Sequence, residues 1–255
     1  MTPSSLVLQM PTAHSPVEVA TIRHAAMLLD IPVRNLSLGD LAIARDDLVG
    51  GALPVGSVEY VRQAMELAGI KAPDFSCYPA VLGHHMHRRI WRTSKVPGDM
   101  DRVFVKPATL TKAFNGFVHI AGQDDCDYDD HDREQLLALR RHSPAPEIWA
   151  SEPVTWLCEW RYYVMDDQII GRARYDPDGA DDAPEPDPAV IQDCIDLLSP
   201  SSAYALDAGV LDTGKTACVE TNDGWSIGLY GRALTPTKYL HFLSRRWAEL
   251  FASSI

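Results

Sequence analysis

Apolar and polar positions along the chain alternate between two periods. Between Val58 and Ala68, the apolar residues Val58, Val61, Met65 and Ala68 recur near one helical face. Ser57 stands where an N-cap belongs and Gly69 where a left-handed C-cap belongs, so a helix is predicted there. Ser15 to Leu29 reads as another helix, with Ser15 as N-cap, Pro16 at the first helical position and Glu18 close by. Pro188–Leu198 and the amphipathic run Thr235–Ala252 complete the predicted helices. Two short apolar segments, Arg102–Lys106 before Pro107 and Glu147–Ser151, read as strands. Cys158–Met165 and Gln168–Tyr175 flank Asp166-Asp167 and predict a hairpin. Ala205–Leu211 and Ala217–Asn222 predict a second, across the turn Asp212-Thr213-Gly214-Lys215. Strand and helix alternate loosely in the first eighty residues, as in a small α/β lobe. Gln123–Asp132 holds six aspartates and His131 but lacks calcium-loop spacing and a closing Glu, so it reads as a solvated turn. Asp176–Pro188, rich in Pro, Asp and Ala, reads as an exposed loop, and no internal repeat is visible.

Composition narrows the class. The 255 residues are 46% apolar and 23% charged, enough apolar mass for a sizeable core. A formal net charge of −12 argues against a broad electrostatic grip on nucleic acid or an acidic membrane, but leaves room for a local basic pocket. The five cysteines lack metal-finger spacing and read as scattered thiols in a reducing compartment. With no secretory signal pattern and no run long enough to cross a bilayer, the expected location is cytoplasmic.

The candidate chemistry is dispersed. Asp207, Glu220 and Asn222 would project oxygen ligands from adjacent strands, with Glu220 and Asn222 on one face by period two. Such a set suits Mg²⁺ shared with phosphates, or it is a surface hairpin with solvated acids. Lys106 ends an apolar strand, where it either meets an anion such as phosphate or snorkels to water. Glu152 and Glu159 bracket a connector that either presents backbone groups to an adenine and a carboxylate to a ribose, or simply joins strands. Arg161, Arg172 and Arg174 lie on the hairpin strands, Arg172 and Arg174 sharing a face. They form cross-strand ion pairs or clamp a phosphoryl group. The run His84-His85-Met86-His87 has no carboxylate or cysteine partner at useful spacing and is a weak metal candidate. Phosphate-loop, dinucleotide-fingerprint, nucleophile-elbow and H-E-x-x-H patterns are absent from the sequence.

Five pieces in order resemble the ATP-grasp superfamily: Val103-Phe-Val-Lys106-Pro, Lys112-Ala-Phe-Asn-Gly116, Ser151-Glu-Pro-Val154, Glu159-Trp-Arg161, and Asp207-Ala-Gly with Val219-Glu-Thr-Asn222. They are most similar to its small RimK-like members and to the compact clade named for two arginines and a lysine, over about Val55 to Gly231. The resemblance implies an α+β ATP-grasp fold, with two antiparallel-sheet lobes clasping a nucleotide and an N-terminal α/β lobe. The expected boundaries are 1–80 for the N-terminal lobe, 81–150 for the central lobe and 151–255 for the C-terminal lobe with the metal site. It further implies an ADP-forming ligase that joins a small-molecule or peptide carboxylate to an amine (or thiol) through an acyl phosphate, with ATP and Mg²⁺. In that reading Lys106 and Lys112 contact phosphates, Glu152, Val154 and Thr155 form the adenine hinge, and Glu159 holds the ribose. Arg161, Arg172 and Arg174 form the basic catalytic set, Asp207, Glu220 and Asn222 bind the metal, and Ser226 meets the acyl substrate. Many relatives carry an arginine two residues before the first metal aspartate, where this chain has Ala205. That departure keeps open a non-catalytic ATP- or ADP-binding module as the alternative, and behind it a structural α/β protein without ligand.

Overall fold

A computed structural model of the chain describes residues 2–10, 17–108, 114–141, 146–176, 182–198 and 201–253. The contacts divide the chain into two units. One holds residues 1–85 and 156–255, and the other holds residues 86–155.

In the larger unit, β1 (Leu6–Gln9) lies between β2 (Val33–Leu36) and β3 (Leu53–Val55) in a parallel sheet. A parallel strand buried on both faces is apolar throughout, and Leu6, Val7 and Leu8 are all buried. Leu6 and Leu8 join one core and Val7 another, so their alternation sets the sheet between two apolar layers. α1 (Val17–Leu28) covers the first face. The expected cap at Ser15 and Pro16 lies outside the described residues. α2 (Arg45–Val49) packs on the second. α3 (Val58–Ala68) begins where Ser57 Oγ accepts from the Tyr60 amide at 3.2 Å, and it ends on Gly69 at φ 75°, as the sequence predicts.

The second sheet of this unit is antiparallel, in the order β11 (Thr216–Asp223), β10 (Ala203–Leu211), β8 (Trp156–Met165), β9 (Gln168–Arg174). Both predicted hairpins are present. Asp166 and Asp167 take positive φ of 48° and 60°, the primed turn whose twist matches the strands, and Asp tolerates it better than most residues. α5 (Pro188–Leu197) starts at Asp187, whose carboxylate accepts from the Ala189 amide at 2.9 Å. α6 (Pro236–Ala252) starts at Thr235 and carries Tyr239, Leu240, Phe242, Leu243 and Trp247 into the same core as α1 and Leu6. Arg246 of α6 makes a bidentate pair with Asp223 at 2.6 Å for both contacts. Both groups are buried, and this ties the helix to the end of β11.

The smaller unit is an antiparallel sheet in the order β4 (Ile90–Thr93), β7 (Ile148–Ser151), β5 (Arg102–Pro107), β6 (Phe117–Ile120), with α4 (Asp130–Arg141). Val103, Val105, Ile148 and Ala150 face the core that includes Leu136 of α4. Lys106, paired with Trp149, is on the other face of β5. α4 corrects the reading of Gln123–Asp132 as turn alone. Asp129 Oδ1 accepts from the Asp132 amide at 2.7 Å, and Asp130 and Asp132 occupy the first turn. Acids there complement the positive end of the helix dipole, and Arg140 and Arg141 complement the other end.

Among the described residues no helix is long and apolar enough to cross a membrane. Gly209 marks a close strand approach: a Cβ added there meets the Cys158 carbonyl oxygen at 2.2 Å and the Trp156 ring at 2.8 Å. Gly209→Ala is therefore expected to lower stability by roughly 1–3 kcal/mol in urea unfolding. An unchanged midpoint would contradict this strand spacing.

Candidate functional site

The cross-strand register builds the site. Asp207 on β10 is paired with Arg161 on β8 and with Glu220 on β11, and directly opposed residues share a face. Ala205, on that same face, is paired with Tyr163 and Asn222. A bulge at Val219 makes this possible. Cys218 pairs with Ala208 and Glu220 with Asp207, so Cys218 turns into the core while Glu220, two residues on, turns to the opposite face. Toward Ala203 and Tyr163 the face runs into the apolar core, and toward Arg161 and Glu159 it becomes polar.

The side chains close into one network. Arg161 donates from Nε and Nη2 to Asp207 Oδ1 and Oδ2 at 2.7 and 2.6 Å. Asn222 Nδ2 donates to Asp207 Oδ2 at 3.0 Å and to Glu220 Oε1 at 2.9 Å. The Arg161 and Asp207 residues are only 7% and 1% exposed, so the pair is held out of water and depends on its geometry. Burial alone lowers the Arg161 pKa, but the Asp207 charge and hydrogen bonds outweigh it and raise the value, keeping the guanidinium charged. The Tyr230 ring lies 4.9 Å from the Arg161 guanidinium carbon and the Tyr175 ring 5.7 Å, and the two rings stack at 5.1 Å. Tyr175 donates its hydroxyl to Glu159 Oε2 at 2.7 Å. The Glu159 pKa is raised, first by burial and then by the nearby charges of Asp207, Asp176 and Glu220, against the lowering effect of the Tyr175 hydrogen bond.

Asp207, Glu220, Asn222, Arg161 and Glu159 are thus brought to one face of one sheet. Arg172 and Arg174 are not. Their partners in register are Tyr162 and Trp160, which places both arginines on the opposite face from Arg161. There Arg172 pairs with Glu185 at 2.8 Å, and Arg174 Nε and Nη2 contact Asp176 at 2.7 and 2.9 Å. Ser226 donates to the Gly56 carbonyl at 3.2 Å, beyond the end of β3. In the smaller unit, Lys106 lies on β5, and Glu152 follows β7. Glu152 accepts from the Arg89 amide at 2.9 Å, its own amide donates to the Arg89 carbonyl at 3.1 Å, and Val154 and Thr155 come next. Lys112 lies outside the described residues. Tyr175 and Tyr230 are site residues that sequence reasoning missed. Tyr175 had a signal, two places beyond Ala173 on the strand face that meets Arg161; Tyr230, from a loop, had none.

The donor set fits a hard divalent cation. Two carboxylates and an amide offer oxygen ligands, and three acids, Asp207, Glu220 and Glu159, gather on the face that carries Arg161. The Asn222 amide turns its nitrogen to the carboxylates, so its oxygen would face a cation held there only after the amide rotates.

Two outcomes follow for the metal-free protein. Because the folded Glu159 pKa lies above its ordinary 4.5, folding takes up a proton there, and this stability is lost as pH rises above 4.5 through the folded value. Glu159→Gln is expected to flatten that decline in urea-unfolding titrations, and parallel declines in variant and parent would contradict it. Arg161→Met leaves Asp207 buried without its guanidinium and should cost about 3–5 kcal/mol in the same assay. A loss below about 1 kcal/mol, the range of exposed pairs, would mean that the pair is solvated.

Comparison of the sequence with curated proteins finds no match. Among solved structures, the D-alanine–D-alanine ligase from Bacillus anthracis in complex with ATP superposes with a TM-score of 0.57 at 12% identity, covering 98% of this chain and 99% of that one. The L-amino acid ligase from Bacillus licheniformis gives 0.55 at 10% identity, over 97% and 76%. D-cycloserine synthetase gives 0.50 at 12% identity, over 98% and 99%. At such identities the likeness establishes the fold. The sequence signature of the ATP-grasp domain, in family 2 of the clade named for two arginines and a lysine, matches residues 85–241, more than half of the chain and both β-hairpins. This protein belongs to that two-arginine, one-lysine clade of the ATP-grasp superfamily.

Proposed function

We propose that the protein is an ATP-dependent, ADP-forming ligase that joins a carboxylate to an amine or thiol. The observation that carries this reading is the network of Arg161, Asp207, Glu220 and Asn222 on one sheet face, an oxygen ligand set with a guanidinium locked beside it. Three solved structures of the same fold are ligases or synthetases by name, and one of them holds ATP.

Asp207, Glu220 and Asn222 would hold Mg²⁺, which offsets the charge of the nucleotide phosphates when bound. Lys106 and Lys112 are the proposed phosphate contacts, Glu152, Val154 and Thr155 the adenine contacts, and Glu159 the ribose contact. Glu159 suits this task because Tyr175 fixes one of its oxygens and orients the other. A substrate carboxylate attacks the γ-phosphorus and ADP leaves. The resulting acyl phosphate is attacked by the amine, and phosphate departs with the proton transferred to solvent. Negative charge develops on the phosphoryl oxygens in the first step, and a preorganised cation stabilises that charge without reorganising. Arg161 is such a cation: two hydrogen bonds and two aromatic rings fix its plane.

The arginine absent at Ala205 bears on this. Ala205 is fully buried in the apolar core beside Tyr163, so a cation at that position would be costly. Arg161 reaches Asp207 from the adjacent strand and supplies a guanidinium to the same carboxylate. Arg172 and Arg174, on the other face, brace the hairpin through Glu185 and Asp176 in this reading. Ser226, anchored to Gly56, remains the proposed contact for the acyl substrate. The soluble cytoplasm is the proposed setting.

ADP release that requires both a carboxylate and an amine acceptor tests the proposal. Glu220→Ala and Lys106→Ala should each lower the rate by roughly 10²-fold or more, the order seen for loss of a transition-state charge partner, with melting temperature preserved. Nucleotide binding without acceptor-dependent ADP release, across a panel of amino acids and peptides, would favour a binding module instead.

A further inference from the structure

The histidine run that the sequence left without a partner acquires one in the fold. His84 and His85 end the 3₁₀ turn Ala80–His85, which packs against α5. From α5, more than a hundred residues further on, comes Asp193. One potential ligand atom from each of His84, His85 and Asp193 lies within 4.8 Å of the other two. His85 Nε2 lies 2.9 Å from Asp193 Oδ2, and the centroids of the two imidazole rings lie 3.8 Å apart.

The contact meets the distance of an ion pair but not the alignment of a hydrogen bond. His85 is 92% buried, taking its exposure of 8%, and its Nε2 is itself buried and makes no hydrogen bond. The 2.9 Å approach to Asp193 therefore lacks hydrogen-bond alignment. A buried ring nitrogen without a donor or acceptor costs free energy unless something else uses its lone pair. An imidazole nitrogen and a carboxylate oxygen side by side, with a second imidazole in reach, form a set that one ion could share. Tetrahedral ligands at about 2.0–2.2 Å from zinc are separated by about 3.4 Å, a spacing that small side-chain adjustments reach from atoms lying within 4.8 Å of one another. His84 and Asp193 are both exposed, so the fourth position opens to water.

We propose that His84, His85 and Asp193 form a binding site for a zinc-type divalent transition-metal ion. Two imidazoles and one carboxylate suit Zn²⁺, while Mg²⁺ prefers an all-oxygen shell. The site shares no residue with the Asp207–Glu220–Asn222 set and owes nothing to the ligase reading. Its location gives it a mechanical consequence. The Ser76 and Cys77 carbonyls accept from the hydroxyl and amide of Thr221, on β11 between Glu220 and Asn222, at 3.0 and 2.9 Å. An ion at His84 and His85 would pin the turn that follows this segment to α5.

Zinc titration of the full chain, first stripped with chelator, tests the site by calorimetry and by metal analysis after dialysis. One equivalent of Zn²⁺ should bind in the presence of excess Mg²⁺ and raise the melting temperature. The exposed-ligand variants His84→Ala and Asp193→Asn should retain the fold and each weaken zinc binding by at least the roughly 10- to 100-fold that loss of even an outer-shell partner costs. Absence of stoichiometric zinc binding would overturn the proposal, and so would binding of unchanged affinity in both variants.

Discussion

The buried pair of Arg161 and Asp207 is the constraint around which the larger unit is arranged. Two largely apolar strands bring opposite charges into register with both groups withdrawn from water. Such a pair repays its desolvation only through good geometry and further hydrogen bonds. Here the geometry is the bidentate fork, and the further bonds come from Asn222, which also draws in Glu220. The strand register, the Val219 bulge and the flanking tyrosines all serve the placement of those two groups. The apolar half of the same sheet face, around Ala203, Ala205 and Tyr163, joins the core of α1 and α6 and supplies the rigidity.

Negative charge gathers on the polar half of that face, where Asp207, Glu220 and Glu159 stand close together. Burial is the main cause of the raised Glu159 pKa, and the neighbouring acids add to it. Clustered acids beside a fixed guanidinium favour a divalent cation and a polyanion together. The proposal that such a pair of ligands binds here draws on this charge arrangement and on membership of this clade of ATP-grasp domains.

Much of this fold was legible in the sequence because its signals were local. Ser57, Gly69, Thr235 and Asp166-Asp167 each act within about one helical turn or one hairpin, and each marks an element end or turn where expected. α4 escaped because its N-terminal acids, read as a solvated run, are what a helix start favours. For the site, period two on one strand relates Glu220 to Asn222. It does not say that Arg161 and Arg172 face apart, because that depends on cross-strand register. The bulge at Val219, the loop residue Tyr230 and the carboxylate of Asp193 beside His85 are tertiary facts, carried by no local pattern. Lys112 lies outside the described residues, so its part rests on resemblance.

The central claim is that Asp207, Glu220 and Asn222 hold a divalent cation against nucleotide phosphates. Calorimetric titration of ATP with and without Mg²⁺ addresses it directly, using the parent protein and Asn222→Leu, which removes one ligand oxygen and no charge. The expected result is that Mg²⁺ tightens ATP binding in the parent and that the variant loses most of this gain. An equal Mg²⁺ gain in both proteins, or none in the parent, would contradict it.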